Sequence, residues 1–272
     1  MTGLTPPHDW SALRWPEIAD GDPARWIAVL PLAATEQHGP HLPVGTDVFI
    51  AEAYLAEVKR RLPADLPATF LPVQPVGIST EHLAYPGTLT LPPEVALAAW
   101  MALGDAVARA GLRKLVIVTS HGGNSAAMTM VAQELRARHG MLVVTTAWGR
   151  FGAPDGLFPD DELRHGVHGG AVETSIMLAR YPQHVRTHAI ANNKPASVAM
   201  AAEFRRLSTA RPAPMAWQAE DLHPSGVAGN ATLATGDAGE RLLAHGAAAF
   251  CDLLTDVARF DLTALTNKPQ TG

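Results

Sequence analysis

The chain has 272 residues, 47% of them hydrophobic, a formal net charge of −5 and a single cysteine, Cys251. That length and apolar content suffice for a sizeable core, in one large α/β domain or two small ones. A mildly acidic chain with no basic run gives no support for a nucleic-acid or membrane-surface partner, one cysteine excludes a disulfide framework and a cysteine-built zinc site, and no apolar run is long enough to span a bilayer.

In chain order, the first ten residues lack the basic and apolar regions of a signal peptide, so a cytoplasmic location is expected. Residues 1–25 read as an arm with a short helix near 10–18. The apolar run 26–33 reads as a buried strand. From 47 to 62, Ile50, Tyr54, Val58 and Leu62 recur every fourth residue with Leu55 beside them, the pattern of an amphipathic helix. Residues 70–76 read as a strand that Pro72 and Pro75 confine to an edge or an irregular piece. Residues 77–91 form a loop, and Pro92-Pro93-Glu94 opens a helix that stops at Gly111. The run 114–120 is continuously apolar and β-branched, as in a parallel strand buried on both faces.

A helix follows with Met128, Val131 and Leu135 on one face and Gly140 after its end. Residues 141–147 read as another strand, 149–167 as loop, and 171–180 as a helix closed by Tyr181-Pro182. Residues 183–236 read as an irregular excursion with a short helix near 201–207. A last amphipathic helix covers about 237–260, with Asp237-x-x-Glu240 as its capping start. Alternating strands and helices predict a single layered α/β/α domain over 1–272 with a central, mostly parallel sheet.

Three stretches carry metal- and acid-base-type residues. Glu36-Gln37-His38-Gly39 follows the first strand and Asp47 closes its loop; Glu36 and His38, two apart on extended backbone, share a side. His121-Gly122-Gly123 follows the 114–120 strand, where glycine permits close approach. His168-Gly169-Gly170 precedes a helix with Glu173 in its first turn, where the dipole favours a carboxylate. The ends of parallel strands lie at one edge of a sheet, where ligands bind. Carboxylate and imidazole donors suit Zn²⁺, Mn²⁺ or Fe²⁺. Two such ions acidify a water and offset the charge of a tetrahedral intermediate, and a nearby histidine such as His168 can protonate a leaving nitrogen.

Glu-Gln-His-Gly, the Asp eleven residues after the Glu, Ser-His-Gly-Gly-Asn at a strand end and His-Gly-Gly-x-x-Glu-Thr-Ser together resemble the creatininase (creatinine amidohydrolase) family, from about Trp26 to the last helix. The resemblance implies an α/β fold, two divalent metals per chain and hydrolysis of a C–N bond in a small cyclic or linear amide, in a homo-oligomer that in creatininase is a hexamer. It implies Glu36 and His121 on one metal, His38 on the other and Asp47 bridging both. Creatininase takes a further glutamate two residues after the strand-end histidine; that position is Gly123, so Glu173 or a water is expected to fill the gap. His168 and Glu173 form the expected catalytic pair. Trp148, His82, Gly122 and Gly123 are the expected substrate contacts, with His41, His165 and His223 as further pocket candidates. Arg164 stands where creatininase has a flap tryptophan, and 81–88 departs from its glycine-rich loop; both departures point away from creatinine as substrate. The alternatives are a mycofactocin-type peptidase trimming a short peptide and a metal-binding homologue without turnover.

Overall fold

The computed structural model describes residues 5–210 and 212–265. At its centre β1 (Ile27–Leu32), β2 (Ala68–Phe70), β3 (Lys114–Thr119) and β4 (Leu142–Ala147) form an all-parallel sheet in the order β2-β1-β3-β4. The helices are α1 (Trp15–Ala19), α2 (Thr46–Arg61), α3 (Pro93–Arg109), α4 (Ser125–His139), α5 (Asp160–His165), α6 (Ala171–Arg180), α7 (Ala196–Glu203), α8 (Ala219–Leu222) and α9 (Gly236–Arg259).

The two-residue period of the strands divides their side chains between two cores. Ile27, Val29, Val116 and Val118 pack with Ile50, Tyr54 and Val58 of α2, Ile176 of α6 and Leu242, Leu243 and Phe250 of α9. Ala28, Leu30, Leu32, Leu115 and Ile117 pack on the other face with Trp100 of α3 and Met128, Val131 and Leu135 of α4. The sheet is therefore covered on both sides, which is why its strands read as unbroken apolar runs. Pro31 is tolerated in β1 because the ladder to β2 has ended beside it; its carbonyl oxygen accepts from Gln74 N at 2.9 Å.

From β1 the chain passes through α2 on one face to β2, then through α3 and α4 on the opposite face to β3 and β4. The direction of travel across the sheet thus reverses around β1. The crevice between the carboxyl ends of β1 and β3 is a topological switch point.

Several expected elements differ in detail. The edge strand is confined to β2, and beyond it Gln74 makes an isolated bridge to Leu32. The stretch 149–167, expected as loop, contains α5, whose six residues are too few to show a period but open with Asp160, Asp161 and Glu162. The short helix expected at 201–207 is α7, which starts earlier, directly after Pro195. The start of α9 is capped by Thr235, whose hydroxyl accepts from Ala238 N, and not by an Asp237–Glu240 box. In the excursion, β5 (Asn192–Asn193) pairs with β8 (Gly229–Asn230), and β6 (Leu207–Ser208) with β7 (Ala213–Pro214). Among the described residues no helix is long and apolar enough to cross a membrane.

Candidate metal centre

The switch point is built by three loops. After β1, Glu36 N donates to Val44 O at 2.8 Å, closing the 36–44 loop on itself. Gly39 turns this loop with φ +71°, and a Cβ there would strike Val227. Thr46 Oγ1 donates to Pro43 O at 2.7 Å, which delivers Asp47 into the first turn of α2 and back towards Glu36. After β3, Asn124 staples the neighbouring loops: its Nδ2 donates to Ala33 O at 3.0 Å and its Oδ1 accepts from Ile78 N at 3.0 Å. His121 is thereby set beside Glu36.

Their donor atoms converge. Glu36 Oε1 lies 3.1 Å from His121 Nδ1. Asp47 Oδ2 lies 3.8 Å from both His121 Nδ1 and His38 Nε2. Glu173 Oε2, from the first turn of α6, lies 3.7 Å from His38 Nε2. Two triads result, Glu36–Asp47–His121 and His38–Asp47–Glu173, each with its ligand atoms within 4.8 Å of one another, and Asp47 belongs to both. A third grouping within the same limit is Glu36–His38–His168.

The protonation pattern is fixed by the surroundings. His38 Nδ1 donates to Glu36 O at 3.0 Å, so its Nε2 presents a lone pair. His121 Nε2 donates to Ile78 O at 2.8 Å, so in the neutral ring its Nδ1 likewise faces the carboxylates as an acceptor. Glu36 Oε1 and Oε2, His38 Nε2 and Asp47 Oδ2 are buried and have no hydrogen-bond partner in the protein. Acceptors facing acceptors at buried positions are costly unless a cation lies among them. This donor set of carboxylate oxygens and imidazole nitrogens, with the outward ring nitrogens tied to carbonyls, fits divalent ions.

The electrostatics agree. Burial opposes charge on His121, but the carboxylates of Glu36, Asp47 and Glu81 outweigh it and raise its pKa to about 10. A second proton on His121 would then stand in for a cation. Burial raises Asp47, and the neighbouring Glu36 raises it further; burial raises Glu173 as well. Glu36 ends below its ordinary value because His121, His168 and His38 outweigh its burial.

A pocket of about 380 Å³ opens onto the cluster. Glu36, Asp47, His121, Gly122, His168 and Glu173 line its polar end, and Ile50, Tyr54, Trp148, Leu163, Val167 and Val172 its apolar walls. Trp148 stacks on Tyr54 with ring centroids 4.4 Å apart, and its buried Nε1 has no partner in the protein. His168 Nε2 donates to Gln37 O at 2.7 Å, leaving Nδ1 towards Glu36 Oε1 at 3.6 Å. Burial and then His38 lower its pKa to about 4, so His168 enters as a neutral acceptor and must gain a proton before it can give one.

Two expected substrate contacts are placed elsewhere. His82 is absent from the pocket wall: its Nδ1 accepts from Gln37 Nε2 at 2.8 Å and its Nε2 points at Glu36 Oε1 at 3.3 Å, so it serves the carboxylate from behind. Gly123 is also set back, and a Cβ there would collide with the His121 ring, Ile78 O and Glu81. Among the further histidine candidates, buried His41 meets Thr174 at 2.9 Å, and half-buried His165 and His223 meet Ser197 at 3.0 Å and Ser225 at 2.8 Å; none lines the pocket. Sequence reasoning passed over Gln37, Asn124 and Glu81, which orient the cluster. The first two stand inside motifs singled out for their neighbours, and Glu81 adjoins His82.

Comparison with known proteins places this geometry. Residues 11–254 match the Creatininase family, described as creatinine amidohydrolase. The mycofactocin precursor peptide peptidase of Mycobacterium tuberculosis is 33% identical over 223 residues, 79% of each chain. The creatinine amidohydrolase of Pseudomonas putida is 29% identical over 205 residues, 68% of this chain and 76% of that one. A solved structure described as creatininase with Mn superposes with a TM-score of 0.74 at 22% identity, covering 94% of this chain and all of the other.

Proposed function

The chain belongs to the creatininase family, and on that premise we propose that it is a metal-dependent hydrolase of an amide C–N bond in a short peptide. One observation carries the reading: Asp47 is common to two donor triads, in which Glu36 Oε1 and Oε2, His38 Nε2 and Asp47 Oδ2 are buried without a partner in the protein. Glu36, Asp47 and His121 would hold one divalent ion, and His38, Asp47 and Glu173 a second, of Zn²⁺, Mn²⁺ or Fe²⁺ type. When bound, such ions supply Lewis acidity at the scissile carbonyl and make a water more acidic.

The remaining roles fall to side chains of the chain. His168 Nδ1 faces the cluster as an acceptor, takes a proton from the attacking water and returns it to the departing nitrogen, so that amide and water give acid and amine. Gln37, by donating to His82 Nδ1, places the ring proton on His82 Nε2, which lies 3.3 Å behind Glu36 Oε1. Gly122 lines the pocket wall, and its N–H would serve the developing oxyanion. Trp148 and the apolar wall exclude water and seat the group beside the amide. A pocket of this volume sits at the lower end of the range for small-molecule sites, so only the end of a peptide enters. The 33% identity to a peptide peptidase favours a peptide. The creatinine amidohydrolase relative supports a second reading, a small cyclic or linear non-peptide amide.

Metal analysis and a hydrolysis screen of short peptides, lactams and formamides on wild type and Glu36→Gln test both readings. Two ions per wild-type chain and peptide turnover, with one ion and turnover lost in the variant, are expected. Turnover of lactams or formamides alone would select the second reading. A variant as active as wild type would overturn the metal assignment.

A further inference from the structure

Glu162 belongs to neither triad, yet its carboxylate joins three segments of the chain. Only 8% of the residue is exposed. Its Oε1 accepts from Ala171 N, at the first position of α6, at 2.8 Å. Its Oε2 accepts from Asn230 N in β8 at 2.8 Å. Glycine makes the approach possible: a Cβ on Gly166, Gly170 or Gly229 would overlap Oε1. The Ala171 amide is one of the N–H groups that a helix start leaves without an internal partner, and a negative charge there also meets the positive end of the helix dipole.

The segment fixed in this way carries His168 and one donor of the second triad, Glu173. His168 stands just before α6 and is bridged to Ala228 in both directions, at 3.2 and 2.8 Å. Glu173 lies in the first turn of α6, and its Oε2 accepts from Gly169 N at 2.6 Å while it faces His38. The Glu173 side chain is 21% exposed, whereas that of Glu36 is fully buried, so it has less packing of its own to hold it.

We propose that Glu162 is a positioning residue: by clasping the start of α6 to β8 it holds Glu173, and with it the His38–Asp47–Glu173 triad, in place beside His38. The proposal rests on the metal reading above for the role of that triad. Displacement of a donor by about 1 Å is enough to impair a preorganised site. The Glu36–Asp47–His121 triad is built from β1, β3 and α2 and does not depend on the clasp.

The test is Glu162→Gln, which keeps the shape but turns an N–H group of its own against a main-chain N–H. Titration of Mn²⁺ into the metal-free protein by calorimetry, with hydrogen exchange read at the Ala171 and Asn230 amides, separates the possibilities. The expected result is faster exchange at both amides, a second ion bound about 10–100-fold more weakly and a first ion bound as in wild type. Turnover should then fall at limiting Mn²⁺ and recover at saturation, with KM little changed, a rescue that a loss of fold would not give. Faster exchange with both affinities intact would overturn the positioning role, and unchanged exchange would overturn the clasp. Should Glu162→Gln fail to fold, Gly170→Ala, which leaves the carboxylate but drives Oε1 off Ala171, carries the same readouts. A wild-type chain that takes up no second ion overturns the functional reading itself, while the exchange rates still report on the clasp.

Discussion

Asp47 and Glu57 are both buried carboxylates on α2, at 1% and 7% exposed, and the two ends of that helix treat them in opposite ways. Glu57 Oε1 takes Arg60 at 2.6 Å and Arg61 at 2.7 Å, and its Oε2 takes Arg180 at 3.4 Å. The Arg60 hydrogen bond, ahead of the Arg61 contacts, holds its pKa at about 2 in spite of burial. Asp47 has no cationic side chain beside it other than what His121 can offer; burial and then Glu36 push it upward, and its Oδ2 is left without a partner. A buried charge that the chain itself neutralises serves the fold, while one left uncompensated in a cleft points to a ligand of opposite sign.

The largest effect should come from Asp47→Asn. Removal of the shared ligand is expected to lower kcat/KM by about a thousandfold or more, on the order of 4 kcal/mol. In the presence of a chelator the same variant should melt at or above wild type, because an unpaired buried carboxylate costs about 1–3 kcal/mol. A chelated variant melting well below wild type would show that Asp47 supports the fold in its own right.

Chelation of the wild type is next. With ions initially about 100-fold above their Kd, their removal should cost about 3 kcal/mol of unfolding free energy per ion in a urea titration. The same treatment of Asp47→Asn should change little. Equal responses in the two proteins would remove the distinction between the two ends of α2.

The smallest effect belongs to Glu57. Its folded pKa of about 2 lies below the ordinary 4.5. Its contribution is therefore complete above pH 4.5 and is lost as pH falls towards 2. Because the Arg60 side chain is 65% exposed, solvent screening reduces the contribution to about 1 kcal/mol. Glu57→Gln should remove that part of the acid dependence, read as unfolding free energy at pH 6 against pH 3, and leave turnover within about twofold of wild type.

What could be read from the amino acids follows the range of the interactions. β1, β3, α2, α4 and α9 announce themselves because apolar periodicity is local and each is long enough to display it. Glu36, His38, Asp47 and His121 stand out because they follow strands whose direction the sheet then imposes. α5 is too short for a period, and Glu162 looks like any acidic residue in a first turn until Ala171 and Asn230 are brought to it. Gln37, Asn124 and Glu81 fail for the same reason: their partners lie on loops that only the tertiary fold assembles. His82 reads from the sequence as a substrate contact, and only the fold reveals that it lies behind Glu36 instead.

The topological switch point orders the chain in one more way. Every donor of the Glu36–Asp47–His121 triad precedes residue 122, while Trp148, Leu163, Val167 and Val172 on the pocket wall all follow β4. The first triad is thus written in the first half of the polypeptide, and much of the wall that greets a substrate in the second. Altered side chains at Leu163 or Val167 would recast the cavity's outline while the sheet-anchored donors kept their places, which gives this architecture freedom to exchange one amide for another.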